Sequence, residues 1–215
     1  MKRIFFTKVV LVILTIAVLG FGLAGCGTIS SLLDGLFAQM SEEIYDKTVG
    51  MNGSFEVTES GLPVNWLIYT PETIPTGDYE LIIDTTDYKD GKQSLKFLVR
   101  ECSPAGGWYS PGFCQEYEAI PGELYRVSFW VKNEGSEFRV EIGGVSTFDG
   151  EYETIVQSKE KIDTWKHFEY NYKMPLEKKF DTIRFEMNIL SPGSFWIDDI
   201  KIEGINGESV ILTAR

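Results

Sequence analysis

From residue 51 onward, short runs rich in aromatic and β-branched residues are separated by turn residues. Many of these runs alternate apolar and polar positions, which is typical of strands with one buried face. The predicted strands are 79–85, 94–99, 125–132, 138–142, 151–157, 167–172, 182–190 and 195–202. No helical period follows residue 50. Many short strands with regular turns predict an all-β fold, an antiparallel β-sandwich of the jelly-roll type.

Two of these strands place polar side chains together on one face. In the strand 182–190 the odd-numbered positions are apolar, so Arg184, Glu186 and Asn188 share the opposite face. Another strand places Trp130 on its polar face in the same way. Such residues can hydrogen-bond to a sugar and stack on it. The alternative is a sheet face that is merely solvated.

The first 25 residues predict an export signal. Three basic residues lie near the start, an apolar run covers 9–19, and Leu-Ala-Gly precedes Cys26. This resembles the lipobox of bacterial lipoproteins, which implies cleavage before Cys26 and lipidation of its thiol. Gly27 then favours the outer membrane or the cell surface. A plain N-terminal membrane helix is the alternative, and residues 26–48 are interpreted as a tether.

Composition narrows the partners. The 215 residues are 43% hydrophobic, as in globular domains, and carry a formal net charge of -12. An acidic surface repels phosphate backbones, so nucleic acid is not expected as a partner, and a neutral polysaccharide is favoured over a polyanionic one. His167 is the only histidine, which excludes sites that need two imidazoles.

Two cysteines remain in the exported chain, Cys102 and Cys114. Their proximity in an oxidising compartment predicts a disulfide that stiffens the loop carrying Trp108 and Tyr109. Two free thiols are the alternative.

Six phrases then stand in a familiar order. They are Asn-Gly-Ser-Phe-Glu at 52–56, Gly-Leu-Pro-Val-Asn-Trp at 61–66, Asp-Gly-Lys-Gln-Ser-Leu at 90–95, the run 121–132, Trp165, and Phe-Trp-Ile-Asp-Asp-Ile at 195–200. The pattern resembles the CenC-type carbohydrate-binding modules of families 4, 9 and 22, which are galactose-binding-like jelly rolls. The resemblance implies a module over 49–205, followed by a tail at 206–215.

The resemblance also implies a structural calcium ion. Its ligands would be the carbonyl groups of Ser54 and Gln93 and the carboxylates of Glu56 and Asp198, which suit a hard cation. Asp199 competes with Asp198, but it lies on the opposite strand face. The alternative is that the two carboxylates are solvated or hydrogen-bond to the turn between them.

A sugar cleft lined by aromatic residues is implied as well. Trp108 falls about at a stacking position of such modules and Phe148 near a second one, with Tyr109, Phe148 and Tyr152 as weaker candidates than Trp108. The alternative for Trp108 is an exposed ring that packs on its own loop. Trp130 lies either at the edge of the core or in the cleft. Trp66, Trp165 and Trp196 match positions that we interpret as structural. The loop 102–114 is not part of the pattern, so it either caps the cleft or blocks it.

Three functions are compatible with these features. The first is non-catalytic glycan binding by a lipid-anchored envelope protein. The second is a structural or protein-binding lipoprotein that uses the jelly roll as a scaffold. The third is glycan hydrolysis, for which Glu186 with Glu141 or Asp149 would supply the two carboxylates. No motif singles out such a pair, so the chain is not expected to be an enzyme.

Overall fold

The computed structural model describes residues 44–212, apart from 75, 147–148, 206–207 and the side chain of 212. These residues form an antiparallel β-sandwich, as predicted. The strands are β1 (Thr58–Glu59), β2 (Leu62–Pro63), β3 (Leu67–Tyr69), β4 (Gly77–Asp84), β5 (Ser94–Cys102), β6 (Gly112–Glu118), β7 (Leu124–Asn133), β8 (Phe138–Val145), β9 (Gly150–Ser158), β10 (Ile162–Lys173), β11 (Thr182–Ile189), β12 (Gly193–Gly204) and β13 (Ile211–Leu212). Short 3-10 turns lie at Lys47–Val49 and Gly107–Tyr109.

The strands form two large sheets. One has five strands in the order β10-β7-β12-β5-β4, and the other has six, with β13-β6-β11-β8-β9 in order and β3 also paired to β6. β1 and β2 make a separate hairpin. Every pairing in these sheets is antiparallel, and strands distant in sequence lie side by side, as in a jelly roll.

The core lies between the two sheets. Period-two alternation sends the odd-numbered apolar side chains of β7 and β11 inward, and Phe129 and Phe185 meet edge to face with ring centroids 5.9 Å apart. Trp66 is fully buried and packs edge to face on Phe113. Because the inner faces are apolar and close-packed, polar side chains on the same strands are directed to the outer faces.

All eight predicted strands are present, although their ends shift by a few residues. The sequence patterns missed β6, which fell partly within the predicted disulfide loop, and the short strands β1, β2, β3 and β13. β13 pairs with β6 near residue 117, and the Asn65 amide binds Asp46 backbone atoms at the other end. Described residues on either side of 49–205 therefore contact the sandwich.

The predicted signal segment, Cys26 and the tether up to residue 43 lie outside the described residues. Among the residues that are described, no helix has the length and apolar character needed to cross a membrane.

Candidate functional site

Charged side chains of neighbouring strands meet on the outer face of the six-stranded sheet. β11 contributes Arg184 and Glu186 to this face. Glu116 of β6 lies directly opposite Arg184, and Glu141 of β8 lies directly opposite Glu186. Residues directly opposite each other on antiparallel strands project to the same side, so these groups form one continuous polar surface.

Arg184 organises this surface. Its Nη1 atom lies 3.2 Å from Glu116 Oε1, and its Nη2 atom lies 3.0 Å from Glu186 Oε2 and 3.1 Å from the Tyr69 hydroxyl. Burial opposes the guanidinium charge, but the acidic groups of Cys114, Tyr69 and Glu186 outweigh it and raise the pKa of Arg184. The guanidinium is thus a charged, oriented donor whose freedom to move is small.

Trp108 stands at the edge of this surface. The loop between β5 and β6 makes a 3-10 turn at Gly107–Tyr109, and the Trp108 ring lies against Tyr69, with centroids 4.6 Å apart and planes tilted by 41°. One side of the indole is covered in this way, while 44% of the residue remains exposed. The neighbouring Tyr109 is 59% exposed. The loop therefore presents an aromatic ring beside the polar surface.

Tyr152 lies on the same face, on the far side of Arg184. It is opposite Gly143 in the sheet, and Gly143 is in turn opposite Arg184. A Cβ atom at Gly143 would lie 2.5 Å from the Tyr152 ring, so the ring occupies the space that a larger side chain would fill. Tyr152 is half-exposed. The polar surface is thus flanked by two aromatic side chains.

Asn188 is not available to contact a ligand directly. It shares the outer face with Arg184 as predicted, but it is 1% exposed. Its Oδ1 atom accepts from the Gly107 amide at 2.9 Å, and its Nδ2 atom donates to the Gly107 carbonyl at 3.2 Å. The structure therefore places Asn188 beneath the Trp108 loop.

The predicted disulfide is not formed, because both cysteines are free in this structure. Cys102 ends β5 of the five-stranded sheet, whereas Cys114 lies in β6 of the six-stranded sheet, opposite Glu186. Cys114 is buried, and burial raises the pKa of its thiol to about 11. The loop is fixed by hydrogen bonds instead of a covalent link.

Trp130 does not join the other candidates, because β7 belongs to the opposite sheet. The two polar faces predicted from the sequence are the outer faces of different sheets. Trp130 lies beside His167, with ring centroids 4.8 Å apart, and the Lys89 ammonium lies 4.0 Å above its ring. This arrangement covers the indole with the protein's own side chains.

The four predicted calcium ligands surround the turn at 89–93. Glu56 Oε1 accepts from the backbone amides of Lys92 and Gln93, at 2.8 and 3.1 Å. Asp198 is fully buried, and its Oδ2 atom accepts from the amides of Lys89 and Asp90. Burial raises the pKa of Asp198 to about 6. Both carboxylates thus accept hydrogen bonds from the backbone of the turn between them.

These residues fit a hard cation only in part. Ser54 donates its hydroxyl proton to Asp90, and the Gln93 side-chain amide donates to the Phe55 carbonyl at 2.5 Å, so both segments approach the same turn. However, backbone amides already occupy oxygen atoms of both carboxylates. Within the described part of the chain, no group of three His, Cys, Asp or Glu residues is arranged to hold a metal ion.

An open groove of about 900 Å³ continues the polar surface past Glu116, at the end of the sheet where β6 meets β13. Its lining combines apolar residues such as Ile211 with the carboxylates of Glu118 and Asp181. Phe148, the second predicted stacking residue, lies outside the described residues. Trp66 and Trp196 are buried, as predicted for structural positions, and Trp165 is half-buried with its indole N–H on Asp87.

Comparison with known sequences identifies the family of the chain. The family described as carbohydrate binding domain, CBM_4_9, matches residues 47–193, which is more than half of the chain. The chain belongs to this family. The matched region contains Trp108, Tyr152 and the whole Arg184 network. No curated protein matches the chain.

Solved structures show the same fold. The CBM22-1 xylan-binding domain of Paenibacillus barcinonensis Xyn10C has a TM-score of 0.51 at 13% identity, over 81% of this chain and 100% of that domain. The CBM22-1-GH10 xylanase of Clostridium thermocellum complexed with xylohexaose has a TM-score of 0.51 at 20% identity. Tailspike protein 4 of bacteriophage CBA120 has a TM-score of 0.53 at 16% identity. The match to the xylanase covers 70% of this chain but only 27% of the xylanase. The match to the tailspike covers 72% of this chain but only 21% of the tailspike.

The carbohydrate binding domain contains site residues that the sequence patterns did not select. Tyr69 and Glu116 both contact Arg184, and Arg139 forms a 3.0 Å ion pair with Glu141 on the same face. Tyr69 and Glu116 lie on β3 and β6, which belong to the six-stranded sheet and were not predicted. Alternation between the buried Phe113 and Tyr117 could have placed Glu116 on the outer face. The three-residue strand β3 offered no such signal for Tyr69.

Proposed function

We propose that the outer face of the six-stranded sheet binds a neutral poly- or oligosaccharide. The observation that carries the proposal is the pair of half-exposed aromatic residues, Trp108 and Tyr152, on either side of the partly buried Arg184 network. A pyranose ring has apolar C–H faces that pack on aromatic rings, and its hydroxyl groups hydrogen-bond to fixed charged groups. For one such site we expect a dissociation constant on the order of mM to µM, or roughly 4–8 kcal/mol.

We further propose that binding is not accompanied by hydrolysis. A glycosidase needs one carboxyl group that stays protonated to donate to the leaving group, and a second that acts as base or nucleophile. Here Glu186 and Glu141 are direct cross-strand partners, but each is paired with an arginine, Arg184 or Arg139. Neither is placed as a free acid.

Xylan is the first ligand to test. Two of the similar structures are named for xylan binding or for a xylohexaose complex, and these likenesses concern the fold. The net charge of -12 supports a neutral main chain over a polyanion.

Affinity electrophoresis tests the proposal. Purified full-length protein in a polyoxyethylene detergent, which carries no sugar, is run through gels that hold xylan, β-glucan, mannan, pectin or starch. We expect retardation on one neutral glycan that is strongly reduced, though still measurable, in Trp108→Ala and unchanged in Trp130→Ala, whose indole is covered on the other sheet. Folded protein that no glycan retards would contradict the proposal and favour the structural or protein-binding lipoprotein.

We also propose that calcium binds at the 89–93 turn, through oxygen atoms of Ser54, Glu56, Gln93 and Asp198. The convergence of these residues on one turn supports it, and a bound cation would stabilise that turn. The thermal midpoint is then expected to rise by several degrees in calcium relative to a chelator in the wild type, but not in Asp198→Asn. Equal midpoints in the wild type would refute it.

Lipidation of Cys26 and anchoring of the glycan-binding domain to the bacterial envelope complete the proposal. The Leu-Ala-Gly-Cys sequence supports it. Metabolic labelling with an alkyne palmitate analogue is expected to label the wild type and not Cys26→Ser.

A further inference from the structure

The Trp108 platform depends on a loop that has little apolar packing of its own. Gly106 and Gly107 both have positive φ, at 79° and 55°, which lets the chain turn so that Trp108 projects toward Tyr69. Such a glycine-rich turn is flexible unless other groups hold it. The Trp108 ring contacts Tyr69, and 44% of Trp108 stays exposed.

Two polar side chains hold this turn, Ser110 from within the loop and Asn188 from β11. Ser110 is fully buried, and its hydroxyl accepts from the Gly106 amide at 2.8 Å and donates to the Ser103 carbonyl at 2.6 Å. These two bonds close the loop on itself. They do not attach it to the sheet.

Asn188 attaches the Gly107 turn itself, in addition to the backbone bond at 2.8 Å from the Ile189 N–H to the Pro111 carbonyl at the end of the loop. One side chain on β11 pairs with both the N–H and the C=O of Gly107, 81 residues away in sequence. Asn188 lies two residues from Glu186 and four from Arg184 on the same strand face. The strand that carries the polar groups therefore also fixes the height and direction of the aromatic ring.

We propose that Asn188 is a positioning residue, which holds Trp108 in its ligand-ready orientation through Gly107. The effect of Asn188 on affinity rests on the proposed glycan function. A platform ordered before the ligand arrives does not lose conformational entropy on binding. Without the Asn188 amide, the loop can leave the sheet and Trp108 loses its fixed position.

A double-mutant cycle tests this. Asn188→Ala is expected to weaken binding of xylohexaose about 10-fold by calorimetry, but less than about 2-fold in a Trp108→Ala background, because the two residues act as one unit. Asn171→Ala, an exposed asparagine on the other sheet, is the matched control and should leave affinity unchanged. An equal loss in both backgrounds would mean that Asn188 supports the fold in general, and the inference would fail.

Two measurements without ligand separate this inference from the proposed function. The fluorescence of Trp108 is obtained by subtracting the spectrum of the same protein with Trp108→Ala. Its quenching by acrylamide should increase in Asn188→Ala, while the thermal midpoint stays unchanged. In the wild type the Gly107 amide should be protected from hydrogen exchange, a result that needs no variant to fold. Unchanged quenching or an unprotected Gly107 amide would overturn the positioning role even if glycan binds. If quenching increases in Asn188→Ala and the Gly107 amide is protected, but no glycan binds, the proposed function fails and the positioning role stands.

Discussion

Both outer faces of the sandwich carry aromatic residues, but the Trp196 ring on one face is covered and the Trp108 and Tyr152 rings on the other are exposed. On the five-stranded sheet, Lys96 and Lys132 lie 4.4 and 4.7 Å from the Trp196 ring, and the Trp196 indole N–H donates to Asp84 at 2.9 Å. On the six-stranded sheet, Trp108 and Tyr152 keep about half of their surface exposed.

This difference shows that an aromatic residue on a polar sheet face does not by itself indicate a binding site. Where lysine stems and ammonium groups cover the ring, the aromatic residue stabilises the fold through packing and cation–π contacts. Where neighbouring charged groups are engaged with one another, as Arg184 is with Glu116 and Glu186, the ring stays exposed. The neighbours of each ring therefore separate a structural surface from a binding surface.

The largest expected effect compares one ring from each face. Trp196 is 4% exposed, so Trp196→Ala should lower the free energy of unfolding by about 3–5 kcal/mol. Tyr152→Ala, on the open face, should cost less than about 0.5 kcal/mol. Urea unfolding followed by circular dichroism measures both. Similar losses for the two variants would erase the distinction between covered and open faces.

Next in size is the removal of the central cation. Arg184→Ala leaves Glu116 and Glu186 without their partner, and we expect a loss of about 3 kcal/mol in stability together with loss of glycan retardation. Arg126→Ala is the matched control, because its ion pair with Glu203 is half-exposed on the other sheet and should contribute less than about 1 kcal/mol. Retained binding in Arg184→Ala would show that the polar network does not contact the ligand.

A smaller effect concerns pH and the covered face. Burial alone would raise the pKa of Asp84, but hydrogen bonds from Thr86 and from the Trp196 indole outweigh it and lower the pKa to about 2. Because the folded pKa lies below the unfolded one, this stabilisation is present above about pH 4 and is lost as pH falls toward 2.

We expect about 1–2 kcal/mol from this linkage, after allowance for partial exposure. Unfolding free energies measured between pH 5 and pH 2 should fall more steeply for the wild type than for Asp84→Asn, which cannot titrate. Parallel curves would show that the hydrogen bonds from Thr86 and Trp196 do not stabilise the charged form of Asp84.

The smallest effect concerns the placement of the Tyr152 ring. A Cβ atom at Gly150 would lie 2.6 Å from Tyr152 Cε2, so Gly150→Ala should displace the ring and weaken glycan binding about 3-fold, with little change in stability. Gly204→Ala, where the added atom would meet neighbours only at 3.8 Å or more, is the control. Calorimetric titration with xylohexaose distinguishes the two, and an unchanged affinity would remove Tyr152 from the site.

Most of the sandwich could be predicted from the sequence alone, because period-two alternation reports which side of a strand is buried. The odd-numbered apolar residues of β7 and β11 do face the core, and Arg184 and Glu186 do share an outer face. β6 was missed because the glycine, proline and cysteine residues before and within it favoured a closed loop. The disulfide was predicted from the proximity of the two cysteines in an exported chain, and in the structure hydrogen bonds of Asn188 and Ser110 hold the loop with both thiols free.

What the sequence determined is therefore the strands, their buried sides and the family to which the chain belongs. Only the tertiary structure decided which outer faces belong to the same sheet, and this placed Trp130 on the other sheet and brought Tyr69 and Glu116 next to Arg184. The physical reason is that alternation acts within one strand, whereas strand pairing joins residues as far apart as 115 positions, such as Tyr69 and Arg184. Whether an aromatic ring is covered or open depends on those distant neighbours.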